Sequence, residues 1–118
     1  MDRAAVQAQR ARVAERATSL ERELASLAEE QSLTSHDDEH DPEGVTIAVQ
    51  RAQLQGLLRA ARDELSELDR AVGRLDDGTY GSCAACGGPI APERLEALPA
   101  ATRCIGCAGN VRRGPRRR

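Results

Sequence analysis

The sequence predicts a mainly α-helical chain: a long antiparallel coiled-coil hairpin, then a small module organised by four cysteines, then a basic tail. Three observations predict it. Two long stretches of helix-forming residues each carry a narrow apolar stripe. A short link rich in Ser, Asp, Pro and Gly separates them. Two Cys-x-x-Cys pairs, Cys83/Cys86 and Cys104/Cys107, follow the second stretch. The reading divides the chain into a hairpin over 1–76 with its acidic tip at about 33–44, a four-cysteine module over 77–110, and a tail over 111–118.

The first helix runs from Asp2, an N-cap residue, to about Gln31, a span without Gly or Pro. Val13, Ala17, Leu20, Leu24 and Leu27 recur at spacings of four and three, which lays one apolar stripe along it. Turn-forming residues gather over 33–44, and Asp41-Pro42-Glu43 reads as the next helix start. Asp41 caps free N–H groups there, Pro42 takes the first helical position, and Glu43 sits in the positive first turn. In the second helix Ile47, Leu54, Ala61, Leu68 and Leu75 are spaced by seven, with Leu58, Leu65 and Val72 at the complementary positions.

Arg51, and on the first helix Arg10, fall on seam positions where a polar residue can fix register. Gly56 and Gly73 lie off the stripe. The short link favours pairing within one chain over pairing between two, hence a monomer. At 1.5 Å per residue, an arm of thirty residues reaches about 45 Å. Gly78 reads as the C-cap of the second arm, and Tyr80 as a ring packed beside the cysteines. After Gly-Gly-Pro-Ile-Ala-Pro comes a helical turn containing Leu95.

Two cysteine pairs separated by seventeen residues have the spacing of a four-thiolate zinc site, with Cys83, Cys86, Cys104 and Cys107 as ligands. Two residues between thiolates let one turn aim both sulfurs at one ion, and Gly87 and Gly88 can bend backbone N–H groups towards them. A redox dithiol requires a βαβ setting that the pattern lacks, disulfides require a secreted scaffold, and an iron–sulfur cluster is the remaining competitor. A closed four-sulfur site leaves no position for water, so one zinc ion is structural and not catalytic.

The net charge of −2 hides a segregation: residues 29–43 hold seven acids and no Arg, whereas 112–118 hold five Arg and no acid. One Tyr, with no Phe or Trp, excludes an aromatic core and an array of stacking rings for bases. No apolar run approaches the roughly 20 residues of a membrane span and M-D-R-A-A lacks a signal-peptide core, so a cytoplasmic protein is expected. No catalytic constellation or phosphate-binding Gly loop is found, and the chain is not read as an enzyme.

The residues R-L-D-D-G-T-Y-G-S-C-A-A-C-G-G-P-I (Arg74 to Ile90) and E-R-L-E-A-L-P-A-A-T-R-C-I-G-C (Glu93 to Cys107) resemble the DksA/TraR family of C4-type zinc-finger transcription regulators. The resemblance implies a partner, bacterial RNA polymerase. The zinc end would dock at the rim of the secondary channel, the coiled coil would enter it, and tip acids would act near the catalytic centre. Family members carry an Asp-x-x-Asp-x-Ala tip; here Asp38 and Asp41 match it, and Glu43 stands in place of the Ala. Asp37 and Glu39 complete the acidic tip.

Other readings attach to the same residues. His36 to His40 formally matches the His-x-x-Glu-His protease pattern, but a surface turn cannot supply its buried helix and further ligand. Adventitious metal binding by His36 and His40 is the milder form of that reading. Asp41 and Glu43 can act as helix caps alone. From different functional classes, the Arg-rich tail suggests a nucleic-acid-binding zinc module with salt-dependent affinity, and the hairpin suggests a structural coiled-coil adapter.

Overall fold

The computed structural model describes residues 2–34 and 42–111 of the 118. Four helices follow in order: α1 Arg3–Thr34, α2 Pro42–Asp77, α3 Pro92–Ala97 and α4 Ile105–Val111. The first two are long and packed antiparallel, and the four-cysteine cluster follows them.

Asp2 caps α1 as its sequence position suggests: its Oδ1 accepts the Ala5 N–H at 2.9 Å and its carbonyl accepts the Val6 N–H at 3.0 Å. The helix runs to Thr34, three residues past the expected end. Pro42 opens α2 at the position where its missing N–H is of no consequence. Gly78, at φ 82°, ends α2, and the Thr79 N–H bonds back to the Arg74 carbonyl at 2.9 Å, the six-to-one closure of a Schellman motif. The Asp77 carboxylate accepts both the Thr79 hydroxyl (2.6 Å) and its N–H (3.1 Å), which holds its pKa below the usual carboxylate value.

The chain forms two compact units. One is Ala11–Leu65, and the other joins the residues up to Arg10 to those from Ser66 onward. In the first unit Val13, Ala17, Leu20 and Leu27 of α1 and Ile47, Leu58 and Ala61 of α2 are buried, while Leu24, Arg51, Leu54 and Leu65 are half-buried. Arg16–Glu64 (3.4 Å) and Arg62–Glu21 (2.7 Å) bridge the two helices along their exposed edges.

In the second unit Val6, Leu68 and Ala71 are buried, and Arg3–Asp76 and Arg10–Asp69 (2.5 Å) are the bridges. Both pairs step by seven residues on each helix in opposite directions, which is antiparallel register. Arg10 thus takes a half-buried seam position and is satisfied by Asp69, whose carboxylate holds the guanidinium pKa above its ordinary value through a hydrogen bond and charge attraction. Exposed pairs of this kind contribute roughly 0.2–1 kcal/mol each, so they fix register more than they stabilise.

Two buried residues lie outside the expected stripe. Val6 precedes Val13 by one heptad, beyond Arg10. Ala71 is fully buried where Val72 was expected and is only half-buried. The C-terminal helix α4 was not foreseen, and it takes in Val111, the first residue assigned to the tail. No helix among the described residues is long and apolar enough to cross a membrane.

Leu68 is 1% exposed. Leu68→Ala should lower stability by about 2–5 kcal/mol, whereas Arg16→Ala should lower it by less than about 1 kcal/mol, both read from helical ellipticity during denaturation of the metal-loaded protein.

Candidate metal centre

The first cysteine pair sits on a tight reversal between Gly81 and Ile90. The Cys83 N–H donates to the Gly88 carbonyl (2.7 Å), the Gly87 N–H to the Cys83 carbonyl (2.9 Å) and the Ile90 N–H to the Gly81 carbonyl (2.8 Å). Ser82 and Pro89 form an antiparallel bridge across it. Gly87, at φ 78°, supplies the left-handed residue this turn requires. The next N–H, that of Gly88, then points at the Cys86 Sγ at 3.4 Å. The sequence expectation that Gly87 and Gly88 bend backbone N–H groups towards sulfur is met at Gly88.

The second pair is set at the start of α4. Cys104 precedes the helix and accepts the Ala108 N–H at 2.8 Å, and Cys107 lies in the first turn. One backbone bond ties the two knuckles together, from the Ala84 N–H to the Thr102 carbonyl at 2.7 Å. All four Sγ atoms lie within 4.8 Å of one another, with Cys86 and Cys104 at 3.9 Å. A tetrahedron with Zn–S bonds near 2.3 Å has S···S edges of about 3.8 Å. The cluster suits one structural Zn²⁺.

Behind the sulfurs is a small apolar core. Cys83, Ile90 and Leu95 are buried, and Tyr80, Ala101, Cys104 and Cys107 pack against them. Leu95 is delivered by α3, which Pro92 opens without a side-chain cap. Tyr80 packs beside the knuckles as expected and donates its hydroxyl to the Pro99 carbonyl at 2.8 Å, and burial raises its pKa. Two arginines do the same for neighbouring carbonyls: Arg74 Nη2 reaches Ala100 O at 3.3 Å, and Arg94 Nε reaches Arg103 O at 2.9 Å. Tyr80, Arg74 and Arg94 thus hold the segment leading to the second cysteine pair. The roles of both arginines were not legible in the sequence, because a side chain bound to a distant carbonyl has no spacing signature.

Crowding of the sulfurs has an electrostatic result. The Cys83 thiol is lowered to about 6, chiefly by the backbone N–H of Cys104 and also by those of Cys86 and Ala85. The Cys107 thiol is pushed up to about 12, first by its hydrogen bond with Cys104, then by those with Cys83 and Cys86. One proton therefore leaves the cluster easily, and another is retained in a field of neighbouring sulfur. A bound dication inverts this preference and lets all four sulfurs act as thiolates.

The tip residues Asp37, Asp38, Glu39 and Asp41, with His36 and His40, lie outside the described residues, as do the side chain of Glu43 and residues 112–118.

Comparison with known proteins bears on the same region. Residues 78–111 match the model for the prokaryotic DksA/TraR C4-type zinc finger. Over 91 residues, 76% of this chain and 56% of the relative, the chain is 34% identical to general stress protein 16O of Bacillus subtilis. Over 44 residues it is 46% identical to the RNA polymerase-binding transcription factor DksA of Caulobacter vibrioides, covering 37% of this chain and 31% of that one. The structure of transcription factor DksA2 from Pseudomonas aeruginosa superposes with a TM-score of 0.77 at 27% identity, over 94% of this chain and 80% of that one. The chain thus spans between about a third and just over half of the length of these sequence relatives.

Metal analysis should find one zinc per chain. Cys83→Ser, or zinc removal by a strong chelator, should abolish the dispersed methyl resonances of Ile90 and Leu95 while most helical ellipticity persists, since metal binding supplies the folding free energy of so small a core. Iron in the purified protein, or unchanged methyl dispersion after metal removal, contradicts this.

Proposed function

Because this chain belongs to the DksA/TraR C4-type zinc-finger family and has a DksA-like structure, we propose that it is a transcription regulator, not an enzyme, which acts by binding bacterial RNA polymerase. The observation that supports this most directly is the 46% identity over 44 residues to a relative named as an RNA polymerase-binding transcription factor. In this reading Cys83, Cys86, Cys104 and Cys107 each bind the zinc. The module over 77–110 docks at the rim of the secondary channel, and the hairpin over 1–76 carries its tip inwards.

The division of labour has a physical basis. A closed four-sulfur site offers rigidity without reactivity, which suits an element whose task is to orient a long lever. Carboxylates clustered at the end of that lever, Asp37, Asp38, Glu39, Asp41 and Glu43, repel one another and are relieved by a cation or by arginines on a partner. They are assigned the regulatory effect, and the module is assigned the docking. The protein acts as a monomer in the cytoplasm.

The test is capture of core polymerase followed by transcription with Asp38→Asn and Asp41→Asn, singly and together. Asn retains most of the capping ability at position 41, which separates helix start from charge. Retained binding with altered promoter output is expected. Retained binding with unchanged output would leave a polymerase binder without a regulatory tip, and absence of binding would overturn the proposal. In that event, salt-dependent DNA binding lost on deletion of residues 111–118 would favour the Arg-rich tail as the functional element.

A further inference from the structure

Residues 98–104 run between α3 and α4 without helix or strand, so no regular element supplies partners for their carbonyls. Four of these carbonyls are met by donors from other segments. The Tyr80 hydroxyl reaches Pro99 O at 2.8 Å, Arg74 Nη2 reaches Ala100 O at 3.3 Å, the Ala84 N–H reaches Thr102 O at 2.7 Å, and Arg94 Nε reaches Arg103 O at 2.9 Å. Ala84 lies in the first knuckle and Arg94 in α3, so their bonds are internal to the metal module. Arg74 lies in the last turn of α2, and Tyr80 in the turn that follows it. The same strap of backbone is therefore held from two sides, by the module and by the end of the long helix.

The chain between them has a natural pivot. Arg74 O accepts the N–H groups of Thr79 (2.9 Å) and Tyr80 (3.2 Å), which ties the turn to α2 as far as Tyr80. Gly81 O accepts the Ile90 N–H at 2.8 Å, which ties the next residue to the knuckle. The change of allegiance falls at Gly81, whose φ of 88° lies where glycine moves freely; the Ser82 N–H to Thr79 O bond, at 3.2 Å, spans it. Arg74 and Tyr80 reach past this pivot and take consecutive carbonyls on its far side. They do so side by side, since the Arg74 charge opposes the upward effect of burial on the Tyr80 hydroxyl. We propose that Arg74 and Tyr80 are positioning residues, a latch on Pro99 and Ala100 that fixes the direction in which the last turns of α2 leave the metal module. The inference rests on the proposed function and deepens it, because a lever reaches a defined place only when its angle to the docking module is set.

The test measures residual dipolar couplings of backbone amides in the zinc-loaded full chain. In the unaltered protein one alignment tensor should fit both the end of α2, residues 66–77, and the module, residues 82–107. With Arg74→Met and Tyr80→Phe together, which keep the aliphatic stem and the packed ring, each part should still fit by itself but the two should need separate tensors, with one zinc per chain retained. Arg74→Lys, which keeps a charged donor, should preserve the single tensor. Arg94→Met, which releases the strap from within the module, should preserve it too. A single tensor for the double variant, loss of its zinc, or separate tensors for Arg94→Met would each overturn the proposal, since the residues would then serve the module's own folding or nothing. The couplings need no polymerase, so failure of the unaltered chain to capture core polymerase removes the proposed function and leaves the latch to be decided by them. Where capture succeeds, the double variant should still bind and lose its effect on promoter output; an unchanged effect would overturn the positioning role.

Discussion

Four sulfur atoms within 4.8 Å of one another are the constraint on which the C-terminal part of the chain depends. Without a cation the group has opposed tendencies: Cys83 gives up its proton readily, and Cys107 holds its own strongly. With a dication the same crowding becomes ligation. The residues behind the cluster are too few to substitute for it. Ile90 and Leu95 are the only buried aliphatic side chains there among the described residues, and burial of two such side chains contributes roughly 3–6 kcal/mol, against an ordering entropy of about 1 kcal/mol or more for each residue fixed. The carbonyl bonds from Tyr80, Arg74 and Arg94 then act as orienting devices, because they hold the segment that leads to the second cysteine pair.

The hairpin is stabilised by different physics, and this decides what could be read from the residues alone. Heptad spacing predicted the buried Val13, Ala17, Leu20, Leu27, Ile47, Leu58, Ala61 and Leu68, since a seam leaves a periodic record. Capping by Asp2 and termination at Gly78 left an equally local record in residue type. Ala71 was missed because it lies one position before Val72, off the repeat that was read as constant. Val6 was missed because Arg10 breaks the stripe, and only the structure supplies Asp69 to receive its guanidinium.

In the metal centre the ligand types and their turn geometry were legible, whereas the way the two knuckles meet was not. The bond between Ala84 and Thr102 joins backbone groups, and a backbone group carries no residue identity. The short helix α4 was hidden for a related reason. Gly106, Gly109 and Asn110 are poor helix formers, and the helix there begins from a knuckle whose position the cluster sets. Local propensity was overruled by tertiary constraint, which is the expected failure in a module with so small a core.

Residues that the fold uses and residues that it does not use separate cleanly along this chain. The seam leucines, the ion pairs and the cysteines are accounted for by packing, register and ligation. Gly56, the exposed Val45 and Val49, and Arg59 without an acidic partner among the described residues are not, and each is unfavourable or neutral for the isolated chain. Local choices that conflict with stability are tolerated where function requires them, and here they lie outside the four-cysteine stretch of the sequence.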